Sequence, residues 1–207
     1  MNKTVTIINK HKNNNSGLWQ VIEGEATRSF FDNISDLNES EKNTLLKESA
    51  EILSMCGNPS KKKNSSTGLV FGYVQSGKTL SFTSLLALAK DNGYRLAIIL
   101  AGTKTNLRNQ TTDRLKKDLN IYSPKDYKIL NSPDIANNDH IEIKNSLNLV
   151  KKPFIILSIM KNYTSINKIT AIFNHTDFDN SISGKPILII DDEADQASLN
   201  TFAKKKC

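Results

Sequence analysis

The octapeptide GYVQSGKT at residues 72–79 constrains the fold of this chain more than any other stretch. Gly72 and Gly77 are separated by four residues and followed by Lys78 and Thr79. An apolar run, TGLVFGYV at 67–74, leads into the motif, and a helical pattern over 79–92 leaves it, closed by Gly93. A glycine-rich turn between a strand and a helix aims several backbone N–H groups at one point. The helix adds the positive end of its dipole, so the turn cradles a phosphate. Gln75 and Ser76 fill the loop, Lys78 reaches the β and γ phosphates of a nucleotide, and the Thr79 hydroxyl helps hold Mg²⁺.

Such a turn belongs to a parallel sheet, and the chain beyond it has the matching rhythm. RLAIILA at 95–101, residues 127–130, PFIILS at 153–158 and PILIID at 186–191 read as strands. Polar helices over 105–119 and from 159 to about 173 separate them. Continuous apolar strands alternating with helices predict an α/β domain with helices on both faces of a parallel sheet. Residues 67–207 form this domain, and residues 1–66 form a helical appendage and linker. Within the appendage residues 39–56 read as a helix, capped by Asn38 or Ser40 and stopped by Gly57-Asn58-Pro59.

Lys and Arg total 28 against 21 Asp and Glu, a net charge of +7. That excess suits either a polyanion-binding face or an ordinary solvated lysine surface. Cys56 and Cys207 have neither disulfide-framework nor metal-ligand spacing. No window approaches the roughly eighteen apolar residues of a membrane span, so no membrane partner and a cytoplasmic location are expected.

The last strand ends in acids, IIDDEAD at 189–195. Carboxylates at a strand end, in a chain that also carries a phosphate loop, suit the metal and water of nucleotide hydrolysis. Asp192 is assigned to Mg²⁺, Glu193 to the attacking water, and Asp191 to a supporting position, with the register open by one residue. After the second strand comes AGTKTNLRNQT at 101–111, in which Lys104, Asn106 and Arg108 are candidate contacts to a nucleic-acid backbone. A capped, solvated helix start explains the same residues equally well. No aromatic residue is interleaved there, so base stacking is not expected.

Asp192-Glu193-Ala194-Asp195 is also the signature of the DEAD-box branch of superfamily two helicases. Taken with GYVQSGKT and AGTKTNLRNQT, the stretch IIDDEADQASLNT at 189–201 resembles the Z-one domain family over about residues 68–201. That family groups helicase-related ATPases described as endonucleases of prokaryotic defence loci. The resemblance implies a RecA-like lobe that uses ATP and Mg²⁺ and acts on nucleic acid, with DNA favoured. It carries Gln75, Gly77, Lys78 and Thr79 over as phosphate-loop residues and Asp192, Glu193 and Asp195 as the acidic motif. Gln196 then faces the γ-phosphate or a second lobe. Such motors complete their site with an arginine from a second RecA-like lobe. The chain stops at Cys207, just after the acidic motif, so a second lobe or partner chain is expected to supply it.

Three rival functions remain. The chain could be a nucleotide- and nucleic-acid-binding module without turnover of its own. Asp134, Glu142 and Lys144 fit the loose pattern of a metal-dependent nuclease, although they lie in a polar insertion without a strand pair. A phosphate-loop kinase is disfavoured because no arginine-rich lid is visible. His140 and His175 read as surface residues.

Overall fold

The computed structural model describes residues 6–8, 18–61, 65–71, 78–121, 126–149, 153–176, 178, 182–192 and 194. The chain divides into two compact units: Met1–Arg95 with Leu115–Tyr122 and Gly184–Pro186, and Leu96–Arg114 with Ser123–Ser183 and Ile187–Cys207.

The first unit contains a three-helix cluster. Helix α1 spans Glu25–Asn33, α2 spans Glu39–Met55 and α3 spans Lys78–Asp91, and both α1 and α2 pack against α3. Helix α2 begins with a reciprocal capping box, in which Asn38 Oδ1 accepts from Glu41 N and Glu41 Oε2 accepts from Asn38 N, both at 3.0 Å. Helix α3 is buried on every side from Phe82 to Ala89, because its run FTSLLALA carries no charge that must reach water. Gly93, at φ 91°, takes the left-handed conformation that ends it.

Helix α1 has no capping side chain of its own. Its first turn is capped instead by Asp91, at the far end of α3. The carboxylate accepts from Gly24 N and Ala26 N, both at 3.0 Å, from Thr27 N at 2.8 Å and from Thr27 Oγ1 at 2.6 Å. Asn92 makes a two-way bond with the Ile22 backbone, both contacts at 2.8 Å. The Trp19 indole donates to Cys56 O at 3.0 Å, and the buried Tyr94 hydroxyl donates to Gly57 O.

The 67–74 run departs from expectation. Among the described residues of this run Leu69–Phe71 is a strand, β2, and it pairs antiparallel with β1 at Thr6–Ile8 in a two-stranded sheet. Leu69 and Val70 are exposed. Apolarity showed that the segment extends but not which strand it would choose, and the TII of β1 supplied that partner.

The second unit is built on a parallel sheet of four strands in the order β4-β5-β3-β6, where β3 is Leu96–Ala101, β4 is Tyr127–Asn131, β5 is Phe154–Ile159 and β6 is Ile187–Asp192. Strand β5 is buried throughout, as its uninterrupted FIILSI predicts. Because side chains alternate along a strand, Ile155, Leu157 and Ile159 share one face. They pack there with Ile143 and Leu147 of α5 (Asp139–Asn148) and with Ile169 and Ile172 of α6 (Tyr163–Phe173). Ser158 points to the other face, where its hydroxyl meets Thr112 of α4 (Thr105–Asp118) at 3.0 Å. Helices therefore cover both faces, as an α/β sheet requires.

Candidate functional site

In a parallel sheet every strand delivers its following loop to the same, carboxyl, edge, and ligands bind there where neighbouring loops diverge. The loop after β3 leads to α4 on one face and the loop after the adjacent β5 leads to α6 on the other. Gly102 follows β3 in the left-handed conformation, at φ 61°, and its carbonyl accepts from Lys161 N, in the loop after β5, at 2.7 Å.

Strand β6 brings its acids to this edge. It pairs with β3 so that Leu100 is level with Asp191 and Ala101 with Asp192. Alternation puts Asp191 on the same face as Ile187, which packs against the α5–α6 core, and Asp192 on the opposite face. Asp191 Oδ1 pairs with Lys161 Nζ at 3.0 Å, and the Lys161 side chain is only 9% exposed. Asp192 thus stands at the last paired position, and Asp191 is bound to lysine. Lys161 belongs to no motif, and its one sequence signal is its place just past a continuous apolar strand.

A second cluster lies where β4 and β5 end beneath α4. Thr112 Oγ1 lies within hydrogen-bonding distance of Asn131 Oδ1 and Ser158 Oγ, each at 3.0 Å, and of Arg108 O at 2.9 Å. Arg108 donates to Ser132 Oγ and, at 2.9 Å, to Asn109 Oδ1. Ser132 sits at φ 48°, a left-handed conformation that costs a non-glycine residue energy, and its N–H donates to Ser158 O at 2.9 Å. Of the three residues proposed to touch nucleic acid, Lys104 and Asn106 are exposed, whereas Arg108 is half-buried and engaged within the fold.

Other expected site residues are only partly described. Gly72, Gln75, Ser76 and Gly77 lie outside the described residues, as do Glu193, Asp195 and Gln196. The backbones of Lys78 and Thr79 open α3, but their side chains lie outside the description.

Two members of the nuclease set, Asp134 and Glu142, are held in ion pairs with separate lysines. Asp134 pairs with Lys168 at 2.7 Å and caps a short 3-10 turn through Ala136 N at 3.2 Å. Glu142 pairs with Lys128 at 2.8 Å. The hydrogen bond from Lys168, with help from the Ala136 N–H, holds the Asp134 carboxyl below the usual aspartate range. Among the described residues no group of three or more His, Cys, Asp or Glu is placed to hold a metal. The expectation for His140 is corrected as well. It is buried, at 6% exposure, because it lies on the inward face of α5 with Ile143 and Leu147, and its ring stacks on His175 at 4.4 Å.

Burial pushes the Tyr94 phenol and the Cys56 thiol up. No helix among the described residues is long and apolar enough to cross a membrane. No protein-family model, no curated protein and no solved structure matches the chain.

Proposed function

We propose that this chain is the ATP- and Mg²⁺-binding lobe of a helicase-like ATPase of RecA type that acts on nucleic acid. One observation carries the reading: an acid-tipped strand, β6, runs parallel to β3 and delivers Asp192 to the edge of the sheet where α/β folds bind ligands. The same chain carries a complete phosphate-loop sequence at 72–79.

The donor chemistry fits magnesium. Mg²⁺ prefers hard oxygen ligands, keeps several waters and takes one or two protein groups rather than a cage. One carboxylate, Asp192, and one hydroxyl, Thr79, meet that demand. When bound, the metal and nucleotide supply a polarised γ-phosphate. The chain's own tasks are to grip the phosphates through the loop and Lys78, to hold the metal through Asp192, and to orient water through Glu193. Gln196 faces the γ-phosphate or the second lobe, and Lys104 and Asn106 meet a nucleic-acid backbone. A second lobe or partner chain supplies the transition-state arginine, a group worth about a thousandfold or more in rate. The resemblance to the Z-one domain family supports a DNA substrate.

A fluorescent ATP analogue tests the reading. Lys78→Ala should abolish its binding while circular dichroism stays unchanged, and Glu193→Gln should leave binding intact. Hydrolysis by the isolated chain should be negligible. Unchanged affinity in Lys78→Ala would remove the phosphate-loop assignment. Robust turnover by the wild-type chain alone would remove the need for a second lobe.

A further inference from the structure

A lysine side chain that is nine-tenths buried is uncommon unless it is paired, because desolvating an ammonium is costly. Lys161 has that burial, and it follows β5 rather than belonging to any phosphate or acidic motif. Its backbone N–H is bonded to Gly102 after β3 and its ammonium to Asp191 at the end of β6. One residue thus ties together the carboxyl ends of three neighbouring strands.

The tie matters most for β6. Among the described residues this strand pairs only with β3, so β6 is an edge strand, and its Ile189 is exposed. Its end also carries two successive carboxylates, Asp191 and Asp192, whose like charges a nearby cation offsets. Lys161 binds the first of them, the one on the opposite strand face from Asp192.

We propose that Lys161 is a positioning residue for magnesium: by holding Asp191 it fixes the end of β6, so that Asp192 meets the metal in a set geometry. The inference rests on the ATP and Mg²⁺ reading of the acidic motif and adds to it a residue that touches neither ligand. Removing a partner of this outer kind typically costs about 10- to 100-fold in metal affinity.

The experiment measures binding of a fluorescent ATP analogue to the full chain, first in EDTA and then across a Mg²⁺ titration. Wild type, Lys161→Met, Lys161→Arg, Asp191→Asn and the double variant Lys161→Met/Asp191→Asn are compared. Lys161→Met should keep its affinity in EDTA and raise the half-saturating Mg²⁺ concentration about tenfold or more. Lys161→Arg, which keeps the charge, should stay nearer wild type. Because the effect runs through one pair, Asp191→Asn and the double variant should each shift the midpoint about as far as Lys161→Met does. If Lys161→Met fails to fold, the double variant, which buries no unpaired charge, carries the same comparison against Asp191→Asn. An unmoved midpoint in the folded variants, or shifts that multiply in the double variant, would overturn the Lys161 inference while leaving the ATP reading standing. A wild-type chain that binds no analogue would overturn both.

Discussion

Replacing Asp91 with Ala tests how α3 is anchored to α1. Asp91 is the last residue of α3, the helix that opens with Lys78 and Thr79, and its carboxylate caps α1 through four contacts of 2.6–3.0 Å. Loss of an N-cap costs about 0.5–2 kcal/mol. Hydrogen bonds to a charged group are worth about 1.5–3 kcal/mol, and a buried donor left unsatisfied costs about 1–3 kcal/mol. Thr27 is fully buried, so its N–H and hydroxyl would be stranded. Contacts that share one carboxylate do not add, so the expected loss is about 2–3 kcal/mol rather than the sum.

The assay is urea unfolding followed by the fluorescence of Trp19, the chain's single tryptophan, whose indole is bonded within the same unit. Gly24→Ala offers a second route to the same joint, since a Cβ there would lie 2.6 Å from Asp91 Cγ and 3.0 Å from its Cβ. Both variants should lower the Trp19 transition midpoint. A loss below about 0.5 kcal/mol in Asp91→Ala, within the range of ordinary surface substitutions, would refute the capping argument.

Three further predictions concern the second unit. Lys104→Ala should reduce the salt dependence of nucleic-acid binding by about one unit of slope. Arg108→Ala should chiefly lower stability, because its guanidinium is engaged with Ser132 and Asn109; the reverse result, measured by salt titration and thermal melting, would return Arg108 to the binding surface. Asp134, with its folded-state pKa lowered by Lys168, contributes stability that is present above the ordinary aspartate pKa and lost as pH falls through the lower folded value. A carboxyl-carbon NMR titration should find the Asp134 midpoint below the usual aspartate range and moved up in Lys168→Met; equal midpoints would refute the pairing.

What the sequence disclosed depended on where each element keeps its start signal. Helices α2 and α6 were legible, and each carries a capping Asn: Asn38 on Glu41 N, and Asn162 on Ser165 N at 2.8 Å. Helices α1 and α5 were missed, and neither has a local side-chain cap. The cap of α1 comes from Asp91, some sixty-five residues later, and α5 follows Asn138 in a left-handed conformation. The four parallel strands were legible from their apolar runs, but pairing partners are not written in a run, and β2 accordingly went to β1. At the candidate site the acids were visible as a motif. Lys161 was not, because its meaning arises only when β5 and β6 flank β3.

The carboxyl edge of the sheet has two characters, and the difference bears on where chemistry can occur. Beneath α4, hydrogen bonds link Thr112, Ser158, Asn131, Ser132 and the terminal nitrogens of Arg108, while the buried Arg108 Nε is left without a partner. Buried hydroxyls and amides are tolerated there because each has a partner, and a network so linked stiffens its surroundings. Groups used in this way are poor candidates for catching a ligand, since binding would first have to break the bonds that hold α4 on the sheet. Between β3 and β6 the edge differs. Thr103 and Lys104 are exposed, and the consecutive acids Asp191 and Asp192 reach the edge, where the largely buried Lys161 side chain binds Asp191. A rigid brace beside a charged, accessible rim is the arrangement expected of a site that must hold its geometry while exchanging a polar ligand. It is why Lys104, Asp192 and Lys161, rather than Arg108 or the Asp134–Glu142 region, are the positions where substitution should alter function before it alters the fold.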